Sequence, residues 1–175
     1  MYIPVTEDGE PYFSEGFVVK FFKDDLTEWI ANFKPGWSQL SGIYEFFDEK
    51  ILVIAGGICY LMNPNLIKPI SCFGRSYNQV IKSEDGRFIL ADNMNLTIVE
   101  ITGQIHESEM ISYNGFKDLK IQKNIVSGFA CDYTFKDECV EFSYDIDKKF
   151  IIGGFDFNQQ PIKKPLKKSL WKFWN

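Results

Sequence analysis

Apolar and polar residues alternate along three successive stretches between residues 114 and 154, with only tight turns between the stretches. A period of two places side chains on one face of a β-strand. The apolar positions are Leu119, Ile121, Val126, Phe129, Val140, Phe142, Tyr144, Ile146, Phe150 and Ile152. The pattern predicts an antiparallel β-meander in this region.

The chain upstream of the meander has the same character. A first strand is predicted near residues 16–22, and from Ile43 onward turn signals recur every eight to twelve residues, a spacing typical of all-β proteins. Ser83 to Gly103 also resembles a β-propeller blade, but the chain is too short for a closed propeller. The expected fold is therefore mainly β, with an antiparallel meander that forms a curved sheet, a sandwich or an incomplete propeller-like barrel.

One short helix is predicted near the N-terminus, over residues 24–33. Asp25 and Glu28 have the spacing of a capping box, and Pro35-Gly36 ends the segment. The apolar residues of the segment follow helical spacing, at Leu26, Trp29, Ile30 and Phe33. We expect this helix to cover one end of the sheet rather than to bind a partner.

The length of 175 residues predicts one domain with one core. We expect a single β domain over residues 1–157, in which residues 1–15 form an arm, followed by a tail at residues 158–175. The chain has no apolar run near twenty residues and no secretory signal, so we expect a cytoplasmic protein that does not enter a membrane.

The formal net charge of −5 hides an asymmetry between the tail and the rest of the chain. The tail contains five lysines and no acidic residue, which leaves −10 on residues 1–157. An acidic body argues against nucleic-acid binding and favours a basic partner. For the tail, attachment to its own body is favoured over a membrane or nucleic-acid anchor. The five lysines are Lys163, Lys164, Lys167, Lys168 and Lys172.

Candidate chemistry is sparse. His106 is the only histidine, and none of the four cysteines forms a Cys-x-x-Cys pair, so we expect no metal, no cofactor and no catalytic residue. Cys59 lies in an apolar context that predicts a buried thiol. Cys131 and Cys139 are able to link across a hairpin, but a reducing cytosol favours free thiols. The glycine pairs 56–57 and 153–154 lack phosphate-loop spacing and are interpreted as bulges or close strand approaches.

The meander also carries a family resemblance. Residues 115–121, 124–128 and 140–147, with Gly153-Gly154, resemble the C-terminal half of bacterial immunity proteins that accompany polymorphic or contact-dependent growth-inhibition toxins. The resemblance implies a protein without enzymatic activity that binds the C-terminal domain of one cognate toxin, often a nuclease, and neutralises it in the cytoplasm. The alternative is a carbohydrate-binding or small-ligand-binding β module, in which Trp29, Trp37, Tyr60 or Tyr77 offers a stacking face.

The predicted toxin-binding residues lie on the turn between the second and third strands of the meander. Loops on a rigid sheet are where binding residues concentrate. On this hypothesis the aromatic side chains fill pockets on the partner, and the acidic side chains pair with its lysines or arginines. The competing interpretation turns the aromatic residues inward and leaves the acids as a solvated edge. The residues are Asp132, Tyr133, Phe135, Asp137 and Glu138.

Overall fold

The structure is a computed structural model that describes residues 2–12, 14–46, 49–133 and 138–155. The tail at residues 158–175 lies outside this part of the chain. Within it there are fifteen strands and no helix. The strands are β1 (Tyr2–Val5), β2 (Phe17–Phe22), β3 (Glu28–Phe33), β4 (Gly42–Glu45), β5 (Ile51–Ala55), β6 (Ile58–Met62), β7 (Ser71–Phe73), β8 (Gln79–Lys82), β9 (Phe88–Ala91), β10 (Leu96–Val99), β11 (Ile105–Glu107), β12 (Phe116–Gln122), β13 (Ile125–Asp132), β14 (Glu138–Asp145) and β15 (Phe150–Gly153).

The strands form four sheets in chain order. The first sheet has the order β1-β3-β2, with β1 parallel to β3, and so includes residues 2–5 of the predicted arm. The second (β4–β7), third (β8–β11) and fourth (β12–β15) sheets each contain four consecutive antiparallel strands. The prediction of a mainly antiparallel β protein is confirmed, and the fourth sheet is the predicted meander. The last three sheets begin at Gly42, Gln79 and Phe116, a repeat of 37 residues.

The predicted helix over residues 24–33 is wrong. The segment forms the turn after β2 and then β3, and Trp29, Ala31 and Phe33 alternate onto the buried face of the first sheet. The Asp25 carboxylate caps this turn, accepting hydrogen bonds from the backbone N–H and the hydroxyl of Thr27 at 2.9 and 2.5 Å. An aspartate before an apolar run suits either a helix N-terminus or a tight turn, because its carboxylate accepts nearby backbone N–H groups in both.

The sheets pack face to face, and each of three core clusters joins neighbours in the chain. In the second sheet, Val53 and Tyr60 face the first sheet, whereas Leu52 and Leu61 face the third. Strands buried on both faces contain continuous apolar runs instead of alternating ones. This double burial explains the longest apolar run of the sequence, residues 51–62, which forms β5, β6 and the turn between them.

Glycine is required at the turn between β5 and β6. Gly56 and Gly57 both have positive φ, +54° and +86°, the combination that a two-residue hairpin turn needs. A Cβ atom at Gly56 would also lie 2.8 Å from the backbone nitrogen of Gly36, in the segment that leads into the second sheet. The pair therefore forms a hairpin turn and a close backbone approach.

Aromatic rings dominate the interface between the first two sheets. Trp29 stacks on Phe21 with ring centroids 4.7 Å apart, and its indole N–H donates a 2.9 Å hydrogen bond to the carbonyl of Pro64. Phe33 packs on Tyr60 at 5.0 Å, and the Tyr60 hydroxyl donates to the carbonyl of Lys34. These contacts connect β2 and β3 to loops and strands of the second sheet.

The fourth sheet follows the predicted alternation except at Phe129 and in its last strand. Phe129 is half-buried and lies outside the core cluster, in which Ala130 takes the inward position of β13. Val126, Phe142 and Tyr144 are buried against the third sheet as expected, but Phe150 and Ile152 are 59% and 67% exposed. The turn at residues 146–149 reverses the phase of the alternation, and Ile151 supplies the inward contact instead. A shift of one residue moves every side chain of a strand to the other face.

Candidate partner-binding surface

The predicted binding residues separate into different environments. Asp132 is the last residue of β13 and is only 2% exposed, so its side chain offers little accessible surface to a partner. Tyr133 is 47% exposed, and Glu138, the first residue of β14, is also exposed. Phe135 and Asp137 lie outside the described residues. The connection does join the second and third strands of the meander, as the sequence predicted.

Tyr133 is an exposed ring held in place on several sides. Its backbone N–H donates to the side-chain oxygen of Asn114 at 3.1 Å, and the Lys117 ammonium lies 5.0 Å from the ring centroid. Its hydroxyl lies 3.5 Å from the sulfur of Cys139. A fixed aromatic side chain loses little conformational freedom when a partner covers it.

A disulfide between Cys131 and Cys139 closes this connection, contrary to the expectation of free thiols. The two cysteines face each other in the β13-β14 register, so the hairpin itself brings the sulfur atoms together. Cys59 is a buried free thiol, as predicted, and Cys72 is a partly buried one. The burial of Cys72 raises the pKa of its thiol to about 12.

This pairing predicts a thiol count. Protein denatured without reductant should react with a thiol reagent at two cysteines, Cys59 and Cys72, and protein denatured after reduction should react at four. Under native conditions both free thiols should react slowly, because burial disfavours the thiolate. Mass spectrometry of the labelled protein makes the measurement. Four reactive thiols in unreduced protein would refute the Cys131–Cys139 bond.

The β13-β14 connection belongs to one end of the sheet stack, where seven further segments meet. Strand order and direction place the described residues of 6–16, together with 34–41, 56–57, 74–78, 92–95, 108–115 and 154–155, at this end. Contacts between segments agree with this placement: Trp37 N–H donates to the carbonyl of Arg75, and Gly115 N–H donates to the carbonyl of Asn93. Regular repeats therefore bring together loops that are far apart in sequence.

We call this the acidic end because of its charge. Among the described residues that connect or terminate strands here, nine are acidic and two are basic. The acidic residues are Glu7, Asp8, Glu10, Glu15, Asp92, Glu107, Glu109, Asp132 and Glu138, and the basic residues are Lys34 and Arg75. All of the acidic residues except Asp132 are exposed or half-buried. Their common sign creates a negative field over a continuous set of loops.

The opposite end, defined in the same way, is close to neutral. Ten acidic and eight basic residues are described there. Arg87 pairs with Asp85 of its own turn at 2.6 Å and with Asp147 of the fourth sheet at 2.7 Å. The acidic residues are Asp24, Asp25, Glu28, Glu45, Glu49, Glu84, Asp85, Glu100, Asp145 and Asp147, and the basic ones are Lys23, Lys50, Lys68, Lys82, Arg87, Lys123, Lys148 and Lys149. The negative charge of the body is thus concentrated at one end.

Trp37 is the most exposed aromatic residue that the structure describes at the acidic end. Its side chain is 78% exposed, and the Arg75 guanidinium lies 5.7 Å from its ring centroid. Arg75 in turn pairs with Glu7 at 3.2 Å, so the ring, the cation and the acidic segment form one unit. Sequence reasoning missed this unit. The period of 37 residues relates the loop of Trp37 to that of Arg75 and would have placed these two loops at the same end.

The aromatic residues considered for ligand stacking are mostly in the core. Trp29, Tyr60 and Tyr77 are 2%, 0% and 7% exposed, so three of the four side chains offer no free face. Trp37 alone among them is exposed. Beside Arg75 lies an open concavity of about 380 Å³ lined partly by Tyr77, Asp92 and His106.

His106 is half-buried on β11, with its Nδ1 atom 3.5 Å from a Glu100 carboxylate oxygen. Burial lowers the pKa of His106, as do the nearby positive charges of Lys149 and Arg87, against the opposing effect of Glu100. Within the described residues, no group of three or more His, Cys, Asp and Glu side chains could hold a metal ion, and no helix could span a membrane.

NMR titration of this single histidine should give a pKa below the ordinary value of 6.5. Because the unfolded chain then binds the proton more tightly, the stabilisation by neutral His106 is present above pH 6.5 and lost as the pH falls through the folded-state pKa. Replacing His106 with glutamine should make the free energy of unfolding depend less on pH between the folded-state pKa of His106 and pH 6.5. A measured pKa at or above 6.5 would contradict the dominance of burial.

No protein-family model, curated protein or solved structure matches this chain. The surface is therefore interpreted from its own geometry and charge. It combines fixed exposed rings, a negative field and loops supported by a stack of sheets, which are features suited to binding a basic macromolecule.

Proposed function

We propose that this protein is a cytoplasmic immunity protein that binds the C-terminal domain of a cognate bacterial toxin, a nuclease, and neutralises it without any turnover of its own. The proposal rests on one observation: carboxylates are concentrated at the acidic end, and the exposed rings of Trp37 and Tyr133 lie among them. The resemblance of the fourth sheet to immunity proteins supports the same function, because this sheet supplies Tyr133 and Glu138 to that surface.

Charge connects the surface to this class of partner. Nucleases hold phosphate groups with lysine and arginine, so their substrate-binding faces are basic. A field of opposite sign on the inhibitor accelerates encounter and orients the basic face toward it. Binding there would cover the face that the nuclease needs for its substrate.

The exposed rings are expected to contribute most of the binding affinity, which charge alone does not supply. Tryptophan, tyrosine and arginine dominate the residues that contribute most to protein-protein affinity, whereas charges at a rim chiefly affect association rate. Trp37 and Arg75 form one such unit, and Tyr133 with Lys117 forms a second. We expect affinity to depend on the rings and the rate of association to depend on the carboxylates.

A matched pair of charge reversals tests the acidic end. The cognate toxin domain is taken from the gene directly upstream of the immunity gene. Replacing Glu109 and Glu138 with lysine should lower the association rate constant about 10-fold or more at 50 mM salt. Reversing Glu49 and Glu84 makes the same charge change at the opposite end and should alter the rate less than about twofold.

Surface plasmon resonance at 50 and 500 mM salt measures the association rate constants of the parent and both charge-reversal variants. High salt should remove most of the difference between the two variants, because it screens exposed charges. Equal slowing by both pairs would mean that net charge, and not this end, directs binding. Tight binding of the acidic-end variant at an unchanged rate would refute the assignment of the surface.

The concavity beside Arg75 favours a second candidate function, the binding of a carbohydrate or other small polar ligand. Its lining includes Asp92, Thr97 and His106. Arg75 also lines it and lies 5.7 Å from the ring centroid of Trp37. A glycan array and ligand-detected NMR against a metabolite library test this alternative. A ligand whose binding is lost on replacing Trp37 with alanine, together with no affinity for the adjacent toxin, would favour it over immunity.

A further inference from the structure

We propose that the basic tail, residues 158–175, binds the acidic end of its own chain. The two charges are complementary: the tail carries +5, and the described connecting and strand-terminal residues of the acidic end carry nine acidic groups against two basic ones. The opposite end offers no comparable excess of negative charge. Electrostatic attraction therefore favours one end of the body over the other.

The chain leaves the body at the acidic end. β15 runs from the opposite end toward this one, and Gly154 continues past it with a hydrogen bond from its N–H to the carbonyl of Glu141. Phe155, the last described residue, donates its N–H to the carbonyl of Ile111 and packs on Tyr113 at 5.4 Å. The last described residue before the tail therefore lies against the loop 108–115, which also carries Glu109.

The connecting length suits an intramolecular contact. Seven residues separate Phe155 from Lys163. A linker of seven residues spans about 15 Å on average, which is enough to bring Lys163 to the neighbouring loops of this end. A short tether of this kind gives an effective concentration in the millimolar range, so even a weak contact between tail and body is occupied.

The acidic end also offers apolar surface to the tail. Trp37 and Met94 are 78% and 48% exposed there, and the tail contains Trp171, Phe173 and Trp174 among its lysines. Lysine and aromatic side chains together match a surface of carboxylates and rings. The tail then occupies the surface assigned to the partner, and a partner must displace it. This competitive consequence rests on the proposed function, but the contact itself does not.

NMR of the full chain tests the contact without any toxin. One variant replaces the five tail lysines with glutamine, and its spectrum is compared with that of the parent at 20 mM salt. The backbone signals of Glu109 and Tyr133 and the indole signal of Trp37 should differ between the two proteins. Signals from the opposite end, such as Glu84 and Lys123, should coincide. Salt at 0.5 M should bring the parent spectrum to that of the variant.

The reciprocal variant replaces Glu109 and Glu138 with glutamine and should shift the indole signals of Trp171 and Trp174. The matched control, with Glu49 and Glu84 replaced by glutamine, should leave them unchanged. Coincident spectra for parent and lysine variant, or differences confined to the opposite end, would overturn the proposal. Differences that vary between 20 μM and 500 μM protein would overturn its intramolecular form. These NMR experiments contain no toxin. Failure of the tail contact is therefore distinguishable from failure of the proposed function, which is tested by toxin binding.

Discussion

Replacing Trp29 with alanine is expected to lower the free energy of unfolding by about 3–5 kcal/mol, the range observed when large aromatic residues are removed from protein cores. The side chain is 2% exposed, stacks on Phe21 and bonds the carbonyl of Pro64 through its indole N–H. Its loss leaves a cavity between the first and second sheets and an unpaired carbonyl group beside it. Urea unfolding followed by circular dichroism measures the change.

The chain contains a matched control for this substitution. Trp37 is also a tryptophan but is 78% exposed, so its replacement with alanine should change stability by less than about 0.5 kcal/mol. Replacing Trp29 with phenylalanine should restore part of the loss, because the ring stack is kept while the hydrogen bond is not. Similar destabilisation by the Trp29 and Trp37 alanine variants would contradict the assignment of Trp29 to the core.

The second large effect concerns binding. Replacing Trp37 with alanine should weaken affinity for the cognate toxin by about 2 kcal/mol or more, roughly 30-fold, if this ring is an anchor of the proposed interface. The ring is already held by Arg75, which is held by Glu7, so little ordering is needed on binding. Isothermal titration calorimetry measures the affinity.

If Trp37 contributes through its ring, replacing it with phenylalanine should retain more affinity for the toxin than replacing it with alanine. An exposed apolar residue of the opposite end, Leu26, provides the control: it is 93% exposed, and its replacement with alanine should not affect toxin affinity. Full affinity of the Trp37 alanine variant would show that this residue is not part of the interface. Tyr133 would then be the exposed ring to test.

The sequence was sufficient to predict the class of the fold and the position of the meander. Alternation is a local property, so β12, β13 and β14 follow directly from it. The apolar spacing over residues 24–33, in contrast, satisfied both a helical and a strand period. Pairing of β3 with β2 on one side and β1 on the other decided between them, and such pairing is not visible in a short window.

The candidate surface could be predicted only in part. The segment around Tyr133 was recognisable because acidic and aromatic residues adjoin in sequence, but the burial of Asp132 depends on where β13 ends. Trp37, Arg75 and Glu7 come from three separate segments, and only the stacking of sheets brings them together. The disulfide likewise depends on the β13-β14 register, which places its cysteines opposite each other.

Stacking in chain order has a consequence for synthesis. Each core cluster joins sheets that are consecutive in the chain, so no cluster has to wait for residues more than one sheet away. The first two sheets, complete at Phe73, are able to consolidate on the ribosome while the third is still being translated. The fourth sheet, with its disulfide and Tyr133, is translated after the other three, so the acidic end becomes complete only after the rest of the stack has been synthesised.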